Sequence, residues 1–236
     1  MTHVKICGFQ TAEPVIAAVE AGVDAVGLVL VPSARRRLTI TQAAGLLDTV
    51  RAAVGGRMPE VWGLFADQPQ DEVNTAVDAL GLDGVQLCGA EGMAYAAAMR
   101  AATIAKVVSV DPQVPAAAQL PRIMTLQQRH RLAGHRIVLD TKVSGAYGGT
   151  GQRFDWGLAA ELAQAFEMTL AGGLTPENVG EAVTRVRPWG VDTSSGVETD
   201  GEKDPARVWE FVRAVREADA ARAPRGLRRL LSRNRA

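Results

Sequence analysis

Eight short apolar runs, rich in Val, Ile and Leu, recur along the chain and constrain its fold more than any other feature. Each run is continuous rather than alternating, which is typical of a parallel strand buried on both faces. The predicted strands are Val4–Cys7, Ala25–Leu30, Glu60–Phe65, Gly84–Leu87, Ile104–Val108, Arg136–Asp140, Met168–Ala171 and Gly190–Asp192. Longer helix-like segments separate the runs, and this alternation predicts an α/β fold with a parallel sheet and right-handed crossovers.

Eight strand–helix units are the number that closes a (β/α)8 TIM barrel. The predicted helices begin near Thr11, Thr175 and Asp204 or cover Thr41–Ala53, Gln70–Leu80, Glu91–Ala101, Leu120–Leu132 and Asp155–Ala165. The stretch Asp111–Pro121 is rich in Pro, Ala and Gln, and it is predicted to be a loop extension. An open doubly wound sheet is the alternative, but the Gly-x-Gly-x-x-Gly turn is missing after the first strand.

The charges are unevenly distributed, although 26 basic and 26 acidic residues give a net charge of zero. Residues 221–236 contain six arginines and no acid, so residues 1–220 contain 20 basic and 26 acidic residues. We predict one catalytic barrel domain over residues 1–220 and a flexible Arg-rich C-terminal tail over residues 221–236, where Pro224 and Gly226 oppose a continuing helix. An acidic body argues against nucleic-acid binding, which needs a basic face.

Several further classes of protein are disfavoured by the sequence. No run of about 18 apolar residues predicts a membrane span, and the N-terminus lacks the layout of a signal peptide. Two cysteines are too few for a disulfide framework, so we expect a reducing, cytoplasmic setting. The three histidines are not spaced with the cysteines as metal ligands, so no metal is expected. Monomer and homodimer both remain open.

Active sites of such barrels lie at the carboxyl ends of the strands. Cys7 ends the first predicted strand and Asp140 the sixth; a thiolate base and a carboxylic acid there would suit proton transfers on a sugar phosphate. Lys5 shares the strand parity of Cys7, so we expect its ammonium to lower the pKa of the thiol. Both residues also have a purely structural alternative. Cys7 could pack as a small buried hydrophobic residue, and Asp140 could accept hydrogen bonds from loop amides. Other residues expected to line the site are Lys5, Gln86, Cys88, Gly149 and Asp192.

Glycine-rich turns follow the last three predicted strands. The backbone N–H groups of such turns can approach an anion closely, and the loops after strands 7 and 8 are where these barrels bind phosphate. We therefore predict a phosphorylated small-molecule substrate, held by Gly172, Gly173, Ser194, Ser195 and Gly196. The loop Pro32–Arg37 after the second strand carries three arginines, of which one is expected to bind a carboxylate. The alternative for this loop is a solvated basic surface.

Motifs along most of the chain support a more specific interpretation. The most distinctive are Gly148–Trp156 (GGTGQRFDW) and Asp192–Glu198 (DTSSGVE). The others are Lys5–Gly8, Ala21–Gly27, Pro32–Arg36, Gly63–Phe65, Val85–Leu87 and Leu170–Val179. Taken in chain order, from about Val4 to Val215, these motifs resemble the phosphoribosylanthranilate isomerase family of tryptophan biosynthesis.

The resemblance implies an Amadori rearrangement of N-(5′-phosphoribosyl)anthranilate to 1-(2-carboxyphenylamino)-1-deoxyribulose 5-phosphate. It implies that Asp140 is the general acid that opens the ribose ring and that Cys7 is the general base that removes the C2′ proton. Arg36 matches the position that binds the anthranilate carboxylate, and the two glycine-serine turns match the phosphate site. No cofactor or metal is implied, because both proton transfers use side chains.

The chain departs from the family pattern at two positions that border the expected site. Cys88 stands where the family usually has His beside the aromatic part of the substrate. Arg35 and Arg37 flank Arg36 and could compete with it for the carboxylate. Two other functions remain as alternatives. One is a related isomerase of an aminoimidazole-carrying ribose phosphate, which is expected to use Asp where Cys7 stands. The other is a non-catalytic phosphate-ligand-binding barrel.

Overall fold

The computed structural model describes residues 1–141 and 155–222. Eight strands form a closed barrel in which each strand is parallel to its neighbours and β8 pairs with β1. The strands are β1 (His3–Cys7), β2 (Ala25–Val29), β3 (Glu60–Phe65), β4 (Gly84–Leu87), β5 (Thr103–Val110), β6 (Arg136–Thr141), β7 (Thr169–Leu170) and β8 (Gly190–Thr193). The predicted barrel is confirmed, and the open sheet is excluded because the sheet has no free edge.

Helices follow the strands around the barrel. They are α1 (Ala12–Ala21), α2 (Ile40–Val54), α3 (Gln70–Leu80), α4 (Met93–Ala97), α5 (Ala116–Leu132), α6 (Trp156–Ala165), α7 (Pro176–Val186) and α8 (Pro205–Arg222). Between β8 and α8 lie a 3-10 turn, Ser195–Val197, and a small antiparallel pair, β9 (Glu198–Thr199) and β10 (Glu202–Lys203), which the sequence did not predict. None of the described helices has the length and hydrophobicity needed to cross a bilayer.

Along β1, successive side chains point alternately toward the surrounding helices and toward the barrel interior. Val4 and Ile6 are fully buried in the large core between strands and helices. Lys5 and Cys7, two residues apart, face the barrel interior, as their shared parity predicted. The amino end of the interior is filled by Trp62, whose ring would lie 2.4 Å from a Cβ at Gly84. Glycine at that position therefore makes room for the ring, and the barrel is a packed core below the site.

Caps and glycines account for several helix ends. At the start of α2, Thr39 Oγ1 accepts a hydrogen bond from the Gln42 amide at 3.2 Å, and Gln42 Oε1 accepts one from the Thr39 amide at 2.8 Å. This capping box satisfies two backbone donors. Helix α3 ends at Gly81, whose φ of 61° is left-handed and costs glycine no Cβ clash. Thr11 precedes α1 as expected, but its side chain makes no capping hydrogen bond.

Helix α4 is shorter than predicted, because side chains from other elements form hydrogen bonds and ion pairs with the residues that flank it. Asn74 accepts a hydrogen bond from the Arg100 amide at 2.9 Å and donates one to the Ala98 carbonyl at 3.0 Å. These bonds replace the ones that would continue the helix. Upstream, Glu91 leaves the helix and pairs with Lys106 at 2.7 Å.

The predicted loop over Asp111–Pro121 is wrong for its second half. Helix α5 begins at Ala116, directly after Pro115, and three consecutive alanines form its first turn. Alanine has the highest helix propensity of all residues, a signal that the neighbouring prolines obscured. Gln119 closes the short remaining loop by donating to the carbonyls of Asp111 and Val114 at 2.9 and 2.8 Å.

The last helix extends slightly further than expected. Helix α8 continues through Arg222, so Ala221 and Arg222 belong to the helix rather than lying beyond it. The Arg222 guanidinium donates to the Val183 carbonyl of α7 at 3.3 Å. Residues 223–236 lie outside the described residues, and the Arg-rich tail stays a prediction.

Candidate active site

A cavity of about 210 Å³ opens at the carboxyl ends of the barrel strands. Most of the residues predicted for the site line it, namely Cys7, Arg36, Gln86, Cys88, Asp140, Gly172, Gly173, Asp192, Ser194, Ser195 and Gly196. Lys5 lies beside the cavity and contacts one of its lining residues, Asp192. Gly149 lies outside the described residues. Barrel closure therefore brings together side chains from six strands and the loops that follow them.

Cys7 is buried at the end of β1, with 5% of its surface exposed. Burial raises the pKa of its thiol, and the attraction of the Lys5 ammonium does not offset that effect. Lys5 does lower the pKa of the Cys7 thiol, as expected, but the larger effect of burial leaves that pKa above its ordinary value. The reason is that this cysteine is removed from solvent and that Lys5 is already paired with another group.

That other group is Asp192 on the neighbouring strand β8. Lys5 Nζ donates to Asp192 Oδ2 at 2.6 Å, and both side chains are almost completely buried. Burial by itself would lower the pKa of Lys5, but Asp192, together with Cys7 and Cys88, raises the pKa overall, so the ammonium stays charged. The second oxygen, Asp192 Oδ1, is buried and makes no hydrogen bond to the residues described here. Asp192 itself lines the cavity.

Asp140 sits near the end of β6 with the character expected of an acid. Burial raises the pKa of its carboxyl to about 6, although a hydrogen bond from the Thr141 amide to Oδ1 at 2.7 Å works in the opposite direction. Asp192 raises the pKa further, and Lys5 lowers it. A carboxyl with this pKa retains a protonated fraction near neutral pH, as a general acid requires.

The three arginines after β2 occupy different environments. Arg36 lines the cavity and has 12% of its side chain exposed, whereas the Arg35 side chain is 56% exposed and Arg37 is also exposed. Arg36 lies over Gly8, where a Cβ would be 2.5 Å from its Cδ atom. Gly8 has a φ of 82°, so a side chain there would be both strained and in collision. Only Arg36 of the three is thus placed to meet a ligand in the cavity.

Two turns on adjacent strands form another part of the cavity wall, and Ser194 of the second turn lies near Arg36. Gly172 and Gly173 have φ values of 84° and 66°, and within the described residues neither backbone N–H is hydrogen-bonded. Asn178, in the first turn of α7, holds this turn by donating to the Gly173 carbonyl at 2.9 Å. Ser194, after β8, donates its hydroxyl to the Cys7 carbonyl at 2.9 Å. Unpaired amides at a helix N-terminus favour an anion.

Gly196 is where the two turns touch, and a substitution there should separate them. A Cβ at Gly196 would lie 1.8 Å from the Leu174 carbonyl oxygen, so the backbone of one turn must move. We expect Gly196→Ala to lower the free energy of unfolding by about 1–3 kcal/mol and to weaken binding of inorganic phosphate. Calorimetry and titration measure both effects. Gly45→Ala, with no atom near its Cβ, is the matched control; equal behaviour of the two variants would contradict the expectation.

Two side chains next to the cavity, Glu198 and Lys203, were not predicted as site residues from the sequence. Glu198, on β9, pairs with Arg36 through Nε at 2.5 Å and with Lys203, on β10, at 2.5 Å. Lys203 Nζ also donates to the Ser194 carbonyl at 3.1 Å. The scarcity of lysine was an available signal, because the chain has four lysines among 26 basic residues. Lys5, Lys106 and Lys203, the lysines within the described residues, each form a largely buried ion pair.

No group of three His, Cys, Asp or Glu side chains within residues 1–141 and 155–222 is arranged to hold a metal ion. The two cysteines are free thiols, Cys7 buried and Cys88 partly buried. Burial raises the pKa of Cys88 to about 12, and its Sγ lies 3.8 Å from Gln86 Nε2. Cys7 and Asp140 are two titratable groups among the described residues that line the cavity.

Comparison with known proteins agrees with this arrangement. The family model described as N-(5′-phosphoribosyl)anthranilate (PRA) isomerase matches residues 4–214. The chain belongs to the PRA isomerase family. The PRA isomerase of Roseiflexus castenholzii is 42% identical over 217 residues, which cover 91% of this chain and 98% of that relative. The PRA isomerase of Geobacter sulfurreducens is 38% identical over 222 residues, which cover 92% of this chain and 99% of that protein.

Solved structures of PRA isomerases have the same fold. The crystal structure of the Thermotoga maritima enzyme has a TM-score of 0.77 and 29% sequence identity, and the match covers 92% of this chain and 100% of that one. A PRA isomerase in complex with reduced 1-(o-carboxyphenylamino)-1-deoxyribulose 5-phosphate has a TM-score of 0.74 and 28% identity, with the same coverage. The resemblance noted in the sequence is thereby confirmed at the level of family, fold and enzyme class.

Proposed function

We propose that this protein converts N-(5′-phosphoribosyl)anthranilate to 1-(2-carboxyphenylamino)-1-deoxyribulose 5-phosphate by an Amadori rearrangement. The observation that carries the proposal is the convergence of Cys7 and Asp140 on one cavity that Arg36 and the two glycine-serine turns also line. A substrate that carries both a carboxylate and a phosphate matches these groups. The membership of the chain in the PRA isomerase family supports the same substrate.

The first proton transfer is assigned to Asp140. Its carboxyl protonates the ribose ring oxygen, the C1′–O bond breaks, and the nitrogen lone pair forms a Schiff base at C1′. The raised pKa of Asp140, about 6, keeps part of the carboxyl protonated at neutral pH. The carboxylate left behind is stabilised by the hydrogen bond from the Thr141 amide. Burial thus favours the protonated carboxyl before the transfer, and the Thr141 amide stabilises the carboxylate after it.

The second proton transfer is assigned to Cys7. Its thiolate removes the proton from C2′, the electrons move into the C1′–C2′ bond, and the resulting enolamine tautomerises to the ketone. Burial raises the pKa of the Cys7 thiol, so the thiolate needs positive charge nearby. The iminium nitrogen of the ring-opened substrate supplies such a charge next to C2′, and Lys203 and Arg36 act in the same direction. The thiolate is therefore most populated when the intermediate is present.

Binding is assigned to two sets of groups that line the cavity. The Arg36 guanidinium meets the anthranilate carboxylate, and the amides of Gly172, Gly173 and the Ser194–Gly196 turn meet the phosphate. Asp192 Oδ1, with its partner Lys5 beneath it, is available to accept a hydrogen bond from a ribose hydroxyl. The reaction requires Cys7 as a free thiol, which suits a reducing compartment such as the cytoplasm.

Substituting each arginine of the β2–α2 loop should separate their roles. Arg36→Ala is expected to raise KM at least about tenfold, because Arg36 is the one arginine of this loop that lines the cavity. Arg35→Ala and Arg37→Ala should change KM by less than about threefold, since both side chains are exposed. Steady-state kinetics with the purified variants measures this. Equal effects from all three substitutions would refute a specific carboxylate site at Arg36.

Complementation of a tryptophan auxotroph that lacks PRA isomerase tests the proposed function. The wild-type chain should restore growth without tryptophan, whereas a chain with both Cys7→Ala and Asp140→Asn should not. Growth with both chains would contradict the catalytic roles assigned to Cys7 and Asp140. Failure of a folded, soluble wild-type chain that still binds the reduced product would favour the non-catalytic binding protein.

A further inference from the structure

Glu198 is surrounded by positive charge at the mouth of the cavity. Its side chain is 6% exposed, and its two oxygens accept four hydrogen bonds. Oε1 accepts from Arg36 Nε and from Lys203 Nζ, each at 2.5 Å. Oε2 accepts from Arg36 Nη2 at 2.9 Å and from Arg35 Nη2 at 2.6 Å. Burial by itself would raise the pKa of Glu198, but the bonds from Arg36 and Lys203 lower it to about 2, so it is a carboxylate at any working pH.

The geometry of the Arg36 pair determines what remains for a ligand. A guanidinium can bind a carboxylate through two edges, one formed by Nε and Nη2 and the other by Nη1 and Nη2. Glu198 occupies the first edge, since it accepts from both Nε and Nη2. Arg36 Nη1 makes no hydrogen bond to the described part of the chain. The second edge is therefore free on a side chain that lines the cavity.

We propose that Glu198 is a positioning residue for the substrate carboxylate. It holds the Nε–Nη2 edge of Arg36, so that the Nη1–Nη2 edge meets the anthranilate ring carboxylate in a bidentate pair. The inference rests on the proposed function, because that function supplies the carboxylate. Glu198 does not itself touch the substrate in this arrangement. Its contribution is to hold a flexible arginine in one orientation, which lowers the entropy lost when the substrate binds.

Lys203 links this arrangement to the phosphate end of the site. Its ammonium, 4% exposed, contacts both Glu198 and the carbonyl of Ser194, which lies in the second phosphate turn. Arg35, Arg36 and Lys203 together outnumber Glu198 by two positive charges, in a domain that is otherwise acidic. Without the Glu198 charge, Arg36 and Lys203 would repel each other, and Arg36 would leave its position.

The test compares two stable ligands that differ only in the carboxylate. They are 1-(2-carboxyphenylamino)-1-deoxyribitol 5-phosphate and the same compound without the carboxyl group, each titrated calorimetrically into the full-length protein. Glu198→Gln should weaken the carboxylated ligand at least about tenfold and the phenylamino ligand less than about twofold. Glu202→Gln, an exposed residue of the same strand pair, is the matched control and should leave both affinities unchanged.

Each result of this comparison decides the question. Equal weakening of both ligands by Glu198→Gln, or no weakening of either, would overturn the positioning role, because a purely structural ion pair does not distinguish them. If Glu198→Gln does not fold, Glu198→Asp replaces it; its shorter side chain keeps the charge but loses reach, and it should weaken the carboxylated ligand selectively. A wild-type protein that prefers the carboxylated ligand but has no isomerase activity would refute the proposed function and leave this inference standing. A wild-type protein that does not prefer it would refute the inference.

Discussion

Replacing Cys7 by serine is expected to lower kcat at least about 100-fold, because a positioned general base contributes at least that much to a proton transfer. A hydroxyl in the same buried position does not ionise at neutral pH, so the C2′ proton has no acceptor. A 100-fold loss corresponds to about 2.7 kcal/mol of transition-state stabilisation. KM should change little, because the thiol binds neither the carboxylate nor the phosphate. Steady-state kinetics with N-(5′-phosphoribosyl)anthranilate measures both constants.

Cys88→Ser is the matched comparison for this experiment. It also removes one thiol from the cavity, but burial raises the pKa of Cys88 to about 12, so this thiol is not the base. Its replacement should lower kcat by less than about tenfold. Near-normal turnover of Cys7→Ser, or an equal loss in both variants, would contradict the role assigned to Cys7.

Replacing Asp140 by asparagine should also lower kcat at least about 100-fold. The asparagine oxygen can still accept the hydrogen bond from the Thr141 amide, so the shape of the site is retained while the acidic proton is lost. The variant should unfold at no lower temperature than the wild type, because the raised pKa of Asp140 shows that its surroundings disfavour the carboxylate. A loss of activity without a loss of stability would separate catalysis from folding.

The pH dependence gives a second measurement of the same residue. Asp140 must be protonated and Cys7 deprotonated, whereas their pKa values, about 6 and above the ordinary thiol value, stand in the reverse order. The activity follows the fraction of protonated Asp140 multiplied by the fraction of deprotonated Cys7. This product is constant between the two pKa values, and it falls below a pH of about 6 because the thiolate continues to decrease. In Asp140→Asn the plateau should be replaced by activity that keeps rising with pH until Cys7 titrates. An unchanged plateau in this variant would exclude Asp140 as the acid.

The sequence predicted the barrel because the signals for it are local. Eight continuous apolar runs mark strands buried on both faces, and all eight strands are present with boundaries close to those predicted. The ends of helices were harder to predict, since α4 is cut short by Asn74, a residue on another helix. The hydrogen bonds that decide such an end join residues more than 20 positions apart, and no periodic pattern records them.

The candidate site divides in the same way. Parallel strands meet at one end of the barrel, so Cys7, Asp140 and the glycine-serine turns could be predicted as neighbours from their places after successive strands. The partner of Arg36 could not be predicted, because Glu198 lies 162 residues away and only barrel closure brings the two together. The small β9–β10 pair that carries Glu198 and Lys203 has two residues in each strand, too few for a sequence pattern.

The sequence by itself determined the number and order of the strands, the residues at the mouth of the barrel and the family to which the chain is similar. Only the tertiary structure decided which arginine faces the cavity, that Lys5 pairs with Asp192, and that both proton-transfer groups have raised pKa values. The physical reason is that strand periodicity depends on adjacent residues. Burial and the choice of ionic partner depend on groups that become neighbours only when the barrel closes.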